Sequence, residues 1–302
     1  MEKLIECPVC KGNELSLFLS CKDYTVSRET FSIEKCKSCG FNFTNPRPTS
    51  SEIGKYYESE DYISHSNTNK GIINRIYQGV RKYTIQKKVA LINSFVKETD
   101  KNILDIGCGT GEFLNACKND GWNAQGIEPS LNARKLAIDN YGLVVSEEAF
   151  LKNLKPACFD IITMWHVLEH VHELNTRVDE LKRLLKNNGA IIIAVPNRSS
   201  YDATFYKEYW AGYDVPRHLY HFVPETMKML LKNHGLEMAN LLPMKFDSYY
   251  VSMLSEKYKT GKSDLINAFL KGWLSNVKAG GNAGKYSSII YVIKKITMFE
   301  TV

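Results

Sequence analysis

Short apolar runs alternate with amphipathic segments from residue 102 onwards. The apolar runs cover residues 103–106, 124–127, 143–145, 159–164 and 190–195. The segments with helical spacing cover residues 111–119, 131–139, 147–153 and 173–186. Strand–helix alternation of this kind predicts an α/β fold with a parallel sheet covered by helices on both faces. A further helix is expected at about 224–234, and the runs 236–242 and 288–293 supply two more strands, which makes seven.

Two prolines, Pro46 and Pro48, separate a short cysteine-bearing module from the rest of the chain. Prolines this close together forbid regular structure and therefore mark a linker. The predicted parts are a module over 1–45, a linker and helical cap over 46–98 with a helix at 72–97, and a main domain over 99–302. The stretch between the last two apolar runs is too long for a hairpin loop, so an insertion is expected at about 246–286.

Charge and composition narrow the class of protein. The 302 residues carry 39 Lys and Arg against 33 Asp and Glu, a net charge of +6 that tolerates an anionic substrate but is too small to indicate nucleic-acid binding. No apolar stretch is long enough for a membrane helix, and residues 1–7 lack the apolar core of a secretion signal. We therefore expect a cytoplasmic protein whose paired cysteines favour a metal over disulfides.

A glycine-rich turn follows the first apolar run of the main domain. Asp105 precedes Gly107, Gly109 and Gly111, and a helical pattern begins at once. Glycine permits positive φ and lets a ligand approach the backbone, while the amides at the start of a helix favour an anionic group. Glu128, at the end of the next apolar run, can accept hydrogen bonds from both hydroxyls of a ribose.

The spacing of these glycines distinguishes between cofactors. A nicotinamide enzyme has G-x-G-x-x-G, whereas this chain has G-x-G-x-G preceded by an acid, which resembles the first motif of the Rossmann-like S-adenosylmethionine-dependent methyltransferases. The resemblance implies a doubly wound, seven-stranded, mostly parallel sheet. It also implies that Asp105 and the three glycines surround the methionine end of S-adenosylmethionine and that Glu128 holds the ribose. The alternative is a structural turn in another nucleotide-binding α/β protein.

The resemblance extends over roughly residues 95–245 and is to the branch of ubiquinone-type methylases. Residues 159–171 resemble the fourth strand and the turn after it, and residues 189–197 resemble the fifth strand. Within this match, Trp165 and His166 are implied to lie beside the adenosine and the sulfonium.

Two C-x₂-C pairs lie in the module, Cys7 with Cys10 and Cys36 with Cys39. Two such pairs can supply the four thiolates of a tetrahedral, structural Zn²⁺ site, as in a zinc ribbon. Cys21 lies between the pairs and is not needed as a ligand. The alternative is four unrelated buried thiols.

The acceptor pocket is predicted between His166 and residues 206–222, a segment rich in aromatic and ionisable side chains after the fifth strand. The candidate general bases are His166, His218 and His221, with Asp214 as an orienting carboxylate. Arg217 could pair with a phosphate or carboxylate on the acceptor. The alternative is that residues 216–219 form a packed turn with a buried histidine.

These features predict an enzyme that methylates a small molecule or a lipid- or nucleotide-linked metabolite, most readily at oxygen or carbon. An RNA methyltransferase that grips RNA with the zinc module is the alternative, but six basic residues balance six acidic ones over 1–45. A cofactor-binding protein without chemistry is a third possibility, which the complete motif argues against. Basic residues on the helix at 72–97 could contact a membrane surface, although a solvated face is the simpler interpretation of Arg75, Arg81, Lys82, Lys87 and Lys88.

Overall fold

The computed structural model describes residues 1–58, 72–262 and 264–296, with the side chains of 72–78 outside the description. The strands are β1 (Leu15–Lys22), β2 (Thr30–Cys36), β3 (Asn42–Thr44), β4 (Asn102–Ile106), β5 (Asn123–Ile127), β6 (Val144–Ser146), β7 (Phe159–Trp165), β8 (Leu185–Pro196), β9 (Tyr220–His221), β10 (Leu236–Pro243) and β11 (Ser288–Lys295). The helices are α1 (Ile72–Asn93), α2 (Glu112–Asn119), α3 (Leu131–Tyr141), α4 (Leu174–Leu184), α5 (Tyr201–Tyr206), α6 (Pro224–Asn233), α7 (Asp247–Thr260) and α8 (Leu265–Ala279).

Seven strands form the central sheet, in the order β10-β11-β8-β7-β4-β5-β6. The pairs among β4 to β8 are parallel, whereas β11 runs antiparallel to both of its neighbours. The mostly parallel, seven-stranded sheet predicted from the apolar runs is therefore confirmed. This order brings the carboxyl ends of β4, β5 and β7 side by side, which is where such sheets bind ligands.

Alternate residues of β8 show how the two faces of the sheet are covered. Ile191 and Ile193 belong to a cluster with the apolar sides of α4 and α6, while Ala190 and Ile192 belong to a second cluster with α1, α2 and α3. This separation follows from the period of two along a strand, and burial on both faces explains why residues 190–195 of β8 form an unbroken apolar run. The fold is doubly wound, as predicted.

The cysteine-bearing segment and the main domain share a sheet and a core. The smaller sheet has the order β1-β2-β3-β9, and its last strand comes from the main domain, where Tyr220 pairs with Phe43. Phe41 and Phe43 are buried in the same cluster as α4 and β8. The segment is therefore packed beside the turn that follows β7, since the N–H of Leu219, just before β9, donates a hydrogen bond to the carbonyl of Glu169, and the carbonyl of Leu219 accepts one from the N–H of Thr44.

Several local predictions need correction. The helix expected at 147–153 is a 3₁₀ helix over Glu148–Asn153, and the helix expected at 72–97 ends at Asn93. The side chain of Arg75 lies outside the described residues. The insertion expected at 246–286 contains the antiparallel helices α7 and α8. None of the described helices has the length and apolar character that spanning a membrane requires.

Candidate active site

The glycine turn connects β4 to α2, and each of its glycines has positive φ, at 74°, 55° and 86° for Gly107, Gly109 and Gly111. A Cβ added at Gly107 would lie 2.4 Å from Val167, and one at Gly111 would lie 2.6 Å from Leu143. A Cβ at Gly109, in contrast, would meet none of the described residues within 4 Å. Gly109 therefore presents bare backbone to open space, as a site for a bound ligand requires.

Glu128 follows β5 and is 8% exposed. Its Oε2 accepts a hydrogen bond of 2.9 Å from the N–H of Gly109, and its Oε1 accepts one of 2.8 Å from the N–H of Ser130. Each oxygen of an ionised carboxylate can accept a second hydrogen bond. The two backbone groups thus fix the direction of the carboxylate beside the turn and leave it able to bind the hydroxyls of a ribose.

Asp105 lies at the base of the turn, almost fully buried, and accepts a 2.6 Å hydrogen bond from the hydroxyl of Thr163. Burial raises the pKa of Asp105 to about 7, against the opposing effects of Thr163 and the Lys88 ammonium. Lys88 comes from α1, and its Nζ lies 4.0 Å from the centre of the Trp165 ring. Lys88 therefore turns towards the site instead of belonging to the solvated basic face expected from the sequence.

Trp165 and His166 end β7 beside this turn. The Trp165 ring packs edge-on against Phe113, and its buried Nε1–H has no hydrogen-bond partner among the described residues. A buried donor of this kind is costly unless a water or a ligand accepts its hydrogen bond. His166 has a positive φ of 56°, and non-glycine residues in this strained region cluster at functional sites.

The imidazole of His166 lies between two carboxylates. Its Nε2 is 3.0 Å from Oδ2 of Asp247, at the start of α7, and its Nδ1 is 3.4 Å from Oε1 of Glu169. Burial lowers the pKa of His166, but the two carboxylates outweigh that effect and raise it to about 10. His166 is therefore an imidazolium at neutral pH, and the three groups together carry a net charge of −1.

Two further histidines surround the fully buried Glu169. Nε2 of His218 lies 4.0 Å from Oε1 of Glu169, and the His218 ring packs edge-on against that of His170. Burial and the nearby His218 lower the pKa of His170 to about 4, so His170 is neutral. Its Nδ1 lies 3.0 Å from the Arg217 carbonyl oxygen and 2.9 Å from the Tyr57 hydroxyl.

His218 itself has a defined orientation. Its Nδ1 lies 2.9 Å from the carbonyl oxygen of Gly212, which can only accept a hydrogen bond. Nδ1 therefore carries the proton, and in the neutral ring the lone pair is on Nε2, on the side of Glu169. Neither oxygen of Glu169 receives a hydrogen bond of ordinary geometry within the described part of the chain, so this carboxylate keeps acceptor capacity. Glu169, His170 and His218 also present atoms within 4.8 Å of one another, a spacing that a cation could bridge.

Other predicted acceptor-side residues are not brought into this cluster. The guanidinium of Arg217 is buried and bonded to both oxygens of Asp214 and to Asp23, so Asp214 orients an arginine and Arg217 has no exposed face for an acceptor. Nε2 of His221 lies 3.1 Å from the hydroxyl of Thr44, and both residues belong to paired strands of the smaller sheet. Most aromatic side chains of residues 206–222 are likewise buried in the core: Tyr206, Trp210, Tyr213, Tyr220 and Phe222.

The four cysteines of the two pairs converge as predicted. Sγ of Cys7 lies 3.6 Å from that of Cys39, Sγ of Cys10 lies 3.5 Å from that of Cys36, and all four atoms lie within 4.8 Å of one another. A disulfide requires about 2.05 Å, whereas a tetrahedral ion with bonds of about 2.3 Å separates its sulfur ligands by about 3.8 Å. The spacing therefore fits thiolates around a metal ion better than disulfide bonds.

Residues 77–241, more than half of the chain, match the family described as "Methyltransferase domain". The chain belongs to this family. It is an S-adenosylmethionine-dependent methyltransferase, as the glycine spacing and the acid after β5 predicted. The match begins within α1 and ends in β10, so it contains the glycine turn, Glu128 and the cluster around Glu169, but not α7 and α8.

The chain also resembles individual proteins in sequence or fold. A ubiquinone biosynthesis O-methyltransferase of Actinobacillus pleuropneumoniae is 31% identical over 173 residues, which are 52% of this chain and 73% of that protein. An uncharacterized protein of Methanocaldococcus jannaschii is 33% identical over 115 residues, and the chain spans only 47% of its length. The crystal structure of an S-adenosylmethionine-dependent methyltransferase from Archaeoglobus fulgidus shares the fold, with a TM-score of 0.50, 21% identity and coverage of 71% of this chain and 94% of that one.

Three residues of the methyltransferase site were missed as functional candidates, namely Lys88, Glu169 and Asp247. Glu169 stands three residues after His166, a spacing that places both on one side of a single turn and could have indicated a pair. Asp247 gave no signal, because it is remote in sequence and the chain brings it to His166 only through the packing of α7. Lys88 was indistinguishable from the other basic residues of α1.

Proposed function

We propose that this methyltransferase transfers the methyl group of S-adenosylmethionine to a hydroxyl group of a small-molecule or lipid- or nucleotide-linked acceptor. The observation that carries the proposal is the charge pattern around Glu169: an imidazolium at His166 and a histidine at His218 with its lone pair on the side of the carboxylate. The sulfonium already activates the methyl carbon of the cofactor, so the protein needs only to align the acceptor hydroxyl and to remove its proton. The names of the relatives as O-methyltransferases support the same choice.

The residues fit the cofactor at two points. Gly109 leaves open space at the turn, and the orphaned Nε1–H of Trp165 offers a donor beside it. Asp105, the glycines and Glu128 would hold S-adenosylmethionine, and Trp165 and His166 would lie along it. When bound, the cofactor supplies a methyl carbon on a positively charged sulfur. The net charge of −1 on His166, Glu169 and Asp247 favours a cation at this position.

His218 is the proposed general base. Nε2 of His218 accepts the proton of the acceptor hydroxyl while the oxygen forms its bond to the methyl carbon and the carbon–sulfur bond breaks. Glu169 stabilises the imidazolium that forms, since its Oε1 lies 4.0 Å from Nε2. The Gly212 carbonyl keeps Nδ1 protonated throughout, and His166 stays charged between its two carboxylates. His221 and Asp214 have no part in this scheme because their polar groups are engaged elsewhere.

Labelled cofactor tests the acceptor class. The purified chain is incubated with methyl-labelled S-adenosylmethionine and, separately, with the polar-metabolite, lipid and RNA fractions of a cell extract. We expect label in the metabolite or lipid fraction, in a product whose methyl carbon has the chemical shift of a methoxyl group. Label confined to RNA would support the alternative acceptor class, and a carbon-bound methyl would exclude the role given to His218.

We also propose that Cys7, Cys10, Cys36 and Cys39 bind a structural Zn²⁺. The spacing of the four sulfur atoms supports this set of ligands. All four positions of a tetrahedral ion would be filled by protein, so the ion would stabilise the fold and take no part in methyl transfer. The ion would connect the end of β2 to the loop before β1. β2 pairs with β3, and β3 pairs with β9, the strand that begins two residues after His218.

A matched pair of cysteine variants tests the zinc proposal. Cys36→Ala should lose one equivalent of zinc, measured by atomic emission, and several kcal/mol of unfolding free energy, because a structural zinc site contributes folding free energy directly. Cys21→Ala removes an equally buried thiol outside the set and should cost only about 1 kcal/mol. Equal losses of stability in the two variants, with no change in metal content, would rule out the site.

A further inference from the structure

Helix α8 has an apolar face on its outer side. Ile266 is 75% exposed and Trp273 is 51% exposed, and the other exposed apolar side chains of this face are Phe269, Leu270 and Val277. Their spacing of three or four residues places them in one stripe along the helix. A contiguous stripe of large apolar side chains on the surface indicates a binding surface, unlike single exposed apolar residues, which are ordinary.

The packing of α8 keeps this stripe outside. The buried side of the helix consists of small residues, Ala268, Gly272, Ser275 and Ala279, and this side packs on α7 and α5, where the Ser275 hydroxyl donates a hydrogen bond to Asp202. A Cβ at Gly272 would lie 2.8 Å from Cα of Tyr249, so the two helices approach as closely as a glycine allows. The ring of Tyr249 also stacks on that of Phe269, at 5.0 Å between centres. A rotation of α8 that buried the stripe would separate Gly272 from Tyr249 and lose the close packing of the two helices.

The surroundings of the stripe are basic. Residues 245–262 and 264–285 contain seven lysines and three acidic residues. Asp247 is paired with His166 and Glu256 is buried beneath Tyr206, so only Asp264 is an exposed acid there. Lys271 and Lys278, seven residues apart, lie on the same flank of α8, between the stripe and the buried side. Lys278 is exposed, and Nζ of Lys271 lies 4.2 Å from the centre of the Phe205 ring. An apolar face with tryptophan and phenylalanine and lysines at its border is the pattern of helices that lie in the surface of an anionic membrane.

We propose that the outer face of α8 docks on a lipid surface that carries negatively charged headgroups. The exposed apolar area of the stripe and the positive charge beside it both favour lipid over a second copy of the chain as the partner. At roughly 200 Å² for a large aromatic side chain, five half-exposed side chains present at most about 500 Å², below the ~800 Å² that each partner buries in a stable dimer. A self-complementary dimer would also bring the lysines of both copies together.

The helix pair that carries the stripe also contributes to the candidate active site. Asp247 at the start of α7 holds His166, and Phe246, next to it, is exposed and packs edge-on against Tyr83 of α1. Phe246 is therefore an exposed apolar side chain beside the candidate active site, at the start of the helix on which α8 packs. A docked enzyme has that site close to the membrane surface, whatever its acceptor.

Vesicle binding of the full chain tests the proposal. Phosphatidylcholine vesicles with and without phosphatidylglycerol are sedimented with the protein. We expect binding to the mixed vesicles. Phe269→Asp/Trp273→Asp should weaken this binding about tenfold or more. Lys271→Glu/Lys278→Glu should also weaken it, and more strongly at low than at high salt, because salt screens the attraction between the lysines and the headgroups. Leu131→Asp/Val144→Asp, which changes two equally exposed apolar residues far from α8, should bind normally. Circular dichroism and cofactor affinity show that each variant is folded.

A second measurement observes the docked face itself. Of the four tryptophans, Trp122 and Trp210 are buried, Trp165 packs against Phe113 in the candidate site, and Trp273 is exposed on α8. A blue shift of tryptophan emission on adding mixed vesicles should therefore disappear in Trp273→Phe, which keeps binding. Absence of binding by the unaltered chain would overturn the proposal. So would sedimentation of the unaltered chain as a dimer that Phe269→Asp/Trp273→Asp dissociates, because a second copy would then cover the face.

Discussion

The cofactor side and the acceptor side of this active site are built from different materials. On the cofactor side, one short stretch from Asp105 to Glu128 supplies a turn of bare backbone and two carboxylates, and backbone N–H groups fix Glu128. The acceptor side is made of side chains from four separate parts of the chain, namely Tyr57, the segment from His166 to His170, His218 and Asp247. The first side depends on local geometry, and the second depends on tertiary packing.

This difference also divides the site electrostatically. The cofactor side presents dipoles and hydrogen-bond donors at the start of α2, which suit a carboxylate, and an acid for a ribose. The acceptor side contains three imidazole rings around one buried carboxylate, and the surroundings raise the pKa of His166 and lower that of His170. Pairs of groups whose pKa values are pushed apart are typical of sites that move protons. Binding and proton transfer should therefore be separable by mutation.

The largest expected effect is on the acceptor side. His218→Ala should lower kcat by about 10²–10⁴-fold, the usual contribution of a general base, while the affinity for S-adenosylmethionine stays unchanged. The control is His221→Ala, which removes a buried histidine three residues further along that contacts Thr44 and not Glu169. Turnover is followed as release of S-adenosylhomocysteine with the acceptor fraction found above. Equal losses in both variants would mean that packing, not proton transfer, explains the effect.

A smaller effect, confined to binding, is expected on the cofactor side. Gly109→Ala places a methyl group in the open space at the turn and should weaken cofactor binding about tenfold, a change of about 1.4 kcal/mol in binding free energy, as measured by calorimetry. Gly121→Ala is the matched control, because Gly121 also has positive φ and open space around its Cβ. Both variants should lose about 1 kcal/mol of stability from the left-handed backbone. Unchanged affinity in Gly109→Ala would show that the cofactor does not lie against this residue.

The same difference explains how much could be predicted from the sequence. The seven strands and the turn followed from local patterns, since residues 190–195 of β8 are an unbroken apolar run and the glycine spacing of the turn is visible in the sequence. His166 and His218 were recognised as candidates by residue type. Their partners were not, because Asp247 reaches His166 through the packing of the α7–α8 pair. Arg217 was expected at the acceptor, but it is buried and paired with acids from two regions, Asp23 and Asp214.

The smallest expected effect tests the clamp on His166 through the pH dependence of stability. The pKa of His166 is raised from an ordinary value of 6.5 to about 10, so the folded state binds a proton that the unfolded state releases. The stabilisation is fully present below pH 6.5 and is lost as the pH rises towards 10. Asp247→Asn removes one carboxylate and should bring this loss to lower pH. Since a third of the His166 side chain is exposed, solvent screening limits the difference in unfolding free energy between the two proteins to about 1 kcal/mol.

Urea unfolding from pH 6 to 10 measures this difference, and Asp264→Asn, which changes an exposed acid outside the site, is the control. A profile that Asp247→Asn leaves unaltered would mean that Asp247 does not hold the charge on His166, and the acceptor side would then depend on Glu169 alone.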